Sequence, residues 1–304
     1  MLAGLRAGLR SSCLALLLAG ATAGHADTLR ACDPPDSLSA EQKDRLFRFG
    51  AIIKAELEKS GQRLALIARS GLDLSRFGVR YSHAGFTLKN SPDTPWAIRQ
   101  LYYACDQKQP LIFDQGMLAF LLGMNEASLG YISVLLLPEE QAAELERAAL
   151  DKRQALQMLG GTYSANAYPF SLQYQNCNQW VMEVLALAQG RLSDSASPRE
   201  QAQAWLKTQG YTPSVINVGW RPLMWAAAFV PWLHNNDHPA EDLAQKLYRV
   251  SMPASIEAFV QARVPGATRL EFCHTDHHVV VHRGWTPIAQ GCVPGEEDVV
   301  VALD

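Results

Sequence analysis

Charge is scarce in this sequence. Asp, Glu, Lys and Arg make up 19% of its 304 residues and the formal net charge is -3, so there is no basic excess to neutralise phosphates, and nucleic acid is not the expected partner. The signatures of several common chemistries are missing too. There is no Gly-rich phosphate loop, no dinucleotide glycine fingerprint, no Gly-x-Ser-x-Gly elbow and no His-Glu-x-x-His pair. No internal repeat or low-complexity segment appears. No apolar run reaches the roughly 20 residues that a membrane-spanning helix needs; even the run over residues 223–233 is too short.

What is present points to an exported globular protein. Hydrophobic residues are 48% of the chain, enough for a sizeable core. Arg6 and Arg10 supply a positive start, residues 13–21 are apolar, and Gly24-His25-Ala26 places small residues around a cleavage point. A signal peptide over residues 1–26 is therefore expected, with Asp27 opening the mature chain in the periplasm. No cysteine follows the small residues, so the lipoprotein pattern is absent. The mature chain is expected to have no membrane span.

Cysteine arithmetic then becomes informative, because disulfides persist outside the cytoplasm. Of six cysteines, Cys13 falls in the leader, leaving Cys32, Cys105, Cys177, Cys273 and Cys292. An odd number leaves at least one unpaired. Cys273 and Cys292 flank an expected hairpin and are expected to pair; Cys32 and Cys105 would then tie the mature N-terminus to the middle. Several connectivities remain open on spacing alone. Cys177 is singled out as the free thiol by its surroundings.

The periodicity places a helix over residues 39–57, with Leu46, Phe49, Ile53 and Leu57 at helical spacing. Strands follow over 64–69, 80–88 and 96–103, the last two joined by the turn-forming stretch 90–95 and so expected to be antiparallel neighbours. A helix over 115–122, a strand over 131–137 and a charged amphipathic helix over 139–159 come next. Residues 160–175 are aromatic and aperiodic, and 180–187 is strongly helical. Helices are expected over 198–208, 240–248 and 256–263, an aromatic-rich helix or pair of turns over 220–233, and strands over 270–285 and 299–303. Segregated helices and strands suggest α+β.

Three constellations could carry chemistry. The first is Tyr174-Gln175-Asn176-Cys177-Asn178-Gln179-Trp180. Here an aperiodic loop delivers a cysteine onto the first turn of a helix, where partial positive charge and free N–H groups favour the thiolate. Asn176 or Asn178 can cap that helix, and with Gln175 they are candidates for substrate or oxyanion contacts. A buried, inert cysteine is the plain alternative. The second is Tyr81-Ser82-His83-Ala84-Gly85-Phe86. His83 is a candidate base for the thiol. Alternation puts it on one face with Tyr81 and Gly85, and Tyr81 becomes a candidate substrate contact. Gly85 marks a place where a second backbone or a substrate comes close. The third is His274, Asp276, His278 and His282, which alternation puts on one strand face. Zinc was weighed there but a solvated face was preferred; no metal and no cofactor is expected. Trp220, Trp225, Phe229 and Trp232 are expected in the core.

The blocks Tyr-Ser-His-Ala-Gly and Tyr-Gln-Asn-Cys-Asn-Gln-Trp resemble an uncharacterised family of predicted periplasmic bacterial proteins. More remotely, over residues 64–187, the chain resembles the circularly permuted papain-like group that includes NlpC-like amidases and lecithin retinol acyltransferase. There a histidine on a strand precedes a cysteine at a helix start. The resemblance implies an α+β fold with a permuted papain-like core, an antiparallel sheet packed against the nucleophile helix, over residues 27–190. A helical extension and a small C-terminal β region over 191–304 would pack on it as one unit. It also implies a third polar residue on the strand after His83. Arg99 and Gln100 are the candidates, and Gln100 is preferred because its amide oxygen accepts a hydrogen bond.

The functional expectation is an exported thiol hydrolase or acyltransferase using Cys177, His83 and Gln100, with a cell-wall peptide amide or another acyl group as substrate. The alternative is a non-catalytic periplasmic ligand-binding or envelope assembly protein using the same pocket. The catalytic version requires the start of the Cys177 helix to pack across the sheet face carrying His83, with Gly85 leaving the gap that admits it.

Overall fold

A computed structural model describes residues 38–192, 197–227 and 229–303. It begins with α1 (Ala40–Lys59), capped reciprocally by Ser39 and Gln42, the arrangement that satisfies two orphan N–H groups at a helix start. Strands β1 (Leu64–Arg69), β2 (His83–Leu88), β3 (Ala97–Ala104) and β4 (Gln109–Gln115) follow, then α2 (Met117–Leu122) and β5 (Gly130–Leu136). Helices α3 (Glu139–Leu150), α4 (Lys152–Gln157), α5 (Cys177–Gln189) and α6 (Pro198–Thr208) come next. After them run β6 (Ser214–Asn217), α7 (Arg221–Ala227), α8 (Ala240–Ala244), β7 (Leu247–Val250), α9 (Pro253–Arg263), β8 (Thr268–His274), β9 (His278–Arg283) and β10 (Val299–Ala302).

The α+β class holds. One eight-stranded antiparallel sheet runs in the order β10-β9-β8-β5-β1-β2-β3-β4. The small C-terminal β region is thus part of this sheet, through the pairing of β8 with β5. Helices cover both faces, so the inner strands are apolar almost continuously rather than alternately. On one face Leu64, Leu66, Ala84, Phe86 and Tyr131 pack with Leu145, Trp180 and Val184 from α3 and α5. On the other Ala65, Ile67, Ile98, Ile132 and Phe272 pack with Phe49, Ile53 and Phe120 from α1 and α2. The expected β2–β3 hairpin is present, in the register Phe86↔Arg99, Thr87↔Ile98, Leu88↔Ala97.

Several expectations need correction. The strand expected from residue 80 starts only at His83. Arg80 and Tyr81 turn away to reach the buried carboxylate of Glu271, so Tyr81 sits in the α5-side core and not on a face with His83. The helix expected over 139–159 breaks at Asp151, whose side chain accepts from the N–H groups of Arg153 and Gln154 and starts α4; a free carboxylate beside the chain competes with helix continuation in this way. The helix expected over 240–248 stops at Ala244, and β7 then pairs with β6. Trp220, Trp225 and Phe229 are 65%, 73% and 88% exposed, not core. In the seven-residue α7, Met224 is the residue buried against Tyr248, Val250 and Met252, so the aromatic side finds nothing to pack on.

The Cys273–Cys292 disulfide is present, with Cα atoms 5.6 Å apart. Cys105 is disulfide-bonded as well; its expected partner Cys32 lies outside the described residues, as do the expected signal peptide and its cleavage point.

Candidate active site

Helix α5 is apolar all round, with twelve of its thirteen residues buried, the pattern of a central helix with no solvent face. Asn176 caps it, its side-chain oxygen accepting from the Gln179 N–H at 2.7 Å. That cap fixes Cys177 as the first helical residue. Beneath the first turn lies the buried carboxylate of Glu183. It accepts from Arg199 at 2.8 Å, Gln203 at 2.8 Å and Gln179 at 3.1 Å, and from Gln175. Gln175 also accepts from the Gly160 N–H at 2.7 Å and donates to the Met158 carbonyl at 2.8 Å. Gln175 and Asn176 therefore build the loop and the cap, and neither carries a free polar group toward the thiol.

The first turn of α5 straddles the backbone around His83. Asn178 Nδ2 donates to the Ser82 carbonyl at 3.1 Å, and the Ala84 N–H lies close enough to the Cys177 sulfur to favour its thiolate. The register explains why that N–H is available. Lys89 donates to the Arg63 carbonyl, so the bonded pairs with β1 alternate from there and Ala84 turns its N–H toward β3. The β2–β3 pairing ends at Phe86↔Arg99, so the Ala84 N–H lies beyond the ladder and faces the Cys177 sulfur. Gly85 stands at this end of the ladder: a Cβ there would come within 2.8 Å of the Arg99 carbonyl oxygen. The backbone that Gly85 admits is that of β3, not of α5.

His83 and Gln100 meet from neighbouring strands. Gln100 Oε1 bonds His83 Nε2. An amide oxygen can only accept, so Nε2 carries the proton and Nδ1 holds the lone pair. Arg99, the other candidate, is committed elsewhere, with a bidentate pair to Asp114 at 2.7 and 2.6 Å and a bond to the Ala149 carbonyl. One expectation fails. The imidazole lies on the α2 side of the sheet, 6.1 Å from the Phe120 ring, whereas α5 packs on the opposite face, where Phe86 meets Trp180 edge-on at 5.6 Å. The helix start therefore meets β2 at the main chain of Ser82 and Ala84, on the face opposite the imidazole. The cause is the apolar set Ala84, Phe86 and Leu88, which is the one packed under α5, so alternation turns His83 to the other face.

The electrostatics make both groups neutral. Burial pushes the Cys177 thiol up to about 11, against the pull of the N–H groups of Ala84, Asn178 and Cys177 and of the Arg69 cation. Burial first and the Arg69 cation second push His83 down to about 3, with the Gln100 bond opposing. Tyr163, stacked on Tyr103 at 5.0 Å, also lies within electrostatic reach of the sulfur. Nothing local in the sequence marks Arg69 or Phe120 as neighbours of the site, and Tyr163 belongs to the aromatic run before α5. Only the aromatic run 163–174 gave any signal, because proximity across distant strands leaves no local pattern.

The third constellation is dispersed by the β8–β9 turn. His274 packs on Phe49 at 4.7 Å, His278 Nδ1 bonds Thr275 Oγ1 at 3.1 Å, and His282 Nδ1 bonds Asp298 at 2.6 Å. Among the described residues no cluster of His, Cys, Asp and Glu is arranged to hold a metal ion, and no helix is long and apolar enough to cross a membrane.

Comparison with curated proteins and with solved structures finds no match. The family comparison does, over residues 56–260, a span that includes His83, Gln100 and Cys177: the chain belongs to the family described as "Uncharacterized protein conserved in bacteria (DUF2145)".

Proposed function

We propose that this chain is an exported thiol hydrolase or acyltransferase of permuted papain-like type, with Cys177 as nucleophile, His83 as base and Gln100 as the residue that orients the imidazole. The observation that carries the reading is the grip of the α5 first turn on either side of His83, at Ser82 and near Ala84. Structural residues of unrelated purpose have no reason to bring a helix-start thiol to the main chain of a Gln-oriented histidine. The chain order, histidine strand, glutamine strand, then cysteine helix, is that of the permuted group.

In this reading His83 Nδ1 accepts the thiol proton as sulfur attacks an acyl carbonyl. The N–H groups at the helix start stabilise the resulting oxyanion. The imidazolium returns its proton to the leaving amine, and water or another nucleophile releases the acyl group from the thioester. Gln100 keeps Nε2 protonated and Nδ1 free throughout. A peptide amide of the cell wall is the leading substrate class, and a lipid or thioester acyl group the second.

The second reading, a binding or assembly protein without turnover, draws on the buried thiol and imidazole, both neutral near pH 7. Mass spectrometry of the purified protein with a neutral thiol probe separates the two. Labelling at Cys177 that is lost in His83→Ala supports the enzyme. Slow labelling indifferent to His83 supports the binder.

A further inference from the structure

Three arginines of this fold, buried or nearly so, are held by carboxylates, and a fourth, half-buried, is not. Arg99 meets Asp114, Arg199 meets Glu183, and Arg269 meets Glu257 and Glu271. Arg69 meets none. Among the described residues its guanidinium has no hydrogen bond and no ion pair, and its Nε is buried without a partner. Burial pushes it down to about 10, the direction expected of a cation that has lost part of its water and gained no anion.

Its place is specific. Arg69 stands directly opposite His83 in the β1–β2 register, so the two side chains leave the same sheet face. The guanidinium lies over the Phe120 ring, 5.2 Å from its centroid. Two glycines leave it room: a Cβ on Gly123 would fall 2.5 Å from its Cζ, and one on Gly71 would fall 3.1 Å from Nη1. An arginine stacked on an aromatic ring and left with free donors is the form in which proteins present a planar fork to a carboxylate.

We propose that Arg69 is the anchor of an anion subsite beside Cys177 and His83, and that the substrate carries a free carboxylate close to the acyl group that is attacked. This deepens the thiol-enzyme reading and rests on it. The charged group around His83 is Arg69 from β1, with Gln100 from β3 and Phe120 from α2 as uncharged neighbours, and Arg69 is in turn within electrostatic reach of Cys177 from α5. A carboxylate on Arg69 cancels the cation that weakens His83 as a base, so binding and activation are linked.

The test uses the full chain in two measurements. In the first, Cys177→Ala protein is titrated with glutarate, glutaramide and inorganic phosphate while the His83 ring resonances are followed by NMR. Glutarate is expected to shift them and to raise the His83 midpoint, and glutaramide to do neither. Arg69→Met is expected to weaken glutarate binding at least tenfold, with Arg69→Lys between, because the lysine keeps the charge but loses the fork. Equal effects of glutarate and glutaramide, indifference to Arg69→Met, or phosphate binding as tightly as glutarate would each overturn a carboxylate subsite. In the second, the melting temperature of Arg69→Met is compared with that of the parent chain. An unpaired cation predicts an equal or higher value, and a marked drop would make Arg69 a structural residue and overturn the proposal. His83-dependent labelling of Cys177 by neutral iodoacetamide is scored separately, so the subsite can fail while the thiol enzyme stands.

Discussion

Two buried polar regions lie at the two ends of the same helical turn, and they are built on opposite principles. Beneath α5, Glu183 gathers Arg199, Gln175, Gln179 and Gln203 around one carboxylate, so that the charge is paired and both oxygens accept hydrogen bonds. Above it, around the start of β2 and the end of β1, the charge is left short. Arg69 has no carboxylate, the Asn178 side-chain oxygen has no donor, and the thiol and imidazole are buried without charge. Around Glu183 one atom, Gln179 Oε1, is left without a donor, but every charge is paired; at the other region the charge itself is unpaired, the kind of group that stores an interaction for something that arrives. The first region is read as scaffold and the second as site.

The largest expected contrast follows directly. Glu183→Ala leaves Arg199 buried without its partner, and is expected to cost about 3–5 kcal/mol in a denaturant unfolding experiment. Arg69→Met removes a charge that already lacks a partner and is expected to cost nothing. If both variants lost stability alike, the division into scaffold and site would not stand.

The pH dependence sharpens the same contrast. His83 is depressed in the folded chain from 6.5 to about 3, so between those values the unfolded chain binds the extra proton. Its contribution to stability is complete above pH 6.5 and is lost as the pH falls toward 3. Cys177 is raised from 9.0 to about 11, so its contribution is complete below pH 9 and is lost as the pH rises toward 11. Thermal melts across this range are expected to fall on both sides of a plateau between pH 6.5 and 9. His83→Asn is expected to flatten the acid limb and leave the alkaline limb alone. A variant curve that overlays the parent on the acid side would mean that His83 is not the depressed group.

How much of this was legible in the sequence differs between the two regions. The helix start at Cys177 was legible, because Asn176 is a strong cap and the run from Trp180 to Ala188 is apolar apart from Glu183. So was the Cys273–Cys292 bridge, since both cysteines frame one local hairpin. Strand β4 was not, because Pro110 and the polar ends of Gln109–Gln115 mask its pattern; it is the edge strand, where a proline breaks no ladder. The joining of β8 to β5 was not legible either, since register between distant strands leaves no local trace. The site shows the same limit. His83 and Gln100 follow from one hairpin, but the side of the sheet that His83 takes depends on where β2 begins, and a shift of one residue reverses it. Arg69 ends an apolar strand like any surface arginine, and only the fold shows that nothing answers its charge.

Smaller effects bear on the inner geometry. Gln100→Leu removes the acceptor for His83 Nε2 and frees the ring to take the other tautomer. Cys177 reactivity is expected to drop about tenfold, at the low end of what positioned proton transfer contributes, and by less than in His83→Ala. Stopped labelling kinetics at fixed pH would measure it. A loss in Gln100→Leu equal to that in His83→Ala would give Gln100 more than an orienting role. Smallest of all, Cys177→Ala is expected to cost about 1 kcal/mol or less, because it deletes one buried sulfur and leaves no charge unpaired; a much larger loss would mark the cysteine as a packing residue.

The central claim is that His83 activates Cys177, and its most direct test is the rate of Cys177 alkylation by neutral iodoacetamide as a function of pH, in the parent chain and in His83→Ala. The account predicts modification at Cys177 at neutral pH, well below the thiol's own ionisation near 11, and its collapse in His83→Ala while the circular dichroism spectrum is retained. A rate that follows thiol ionisation alone and is the same in both proteins would contradict it.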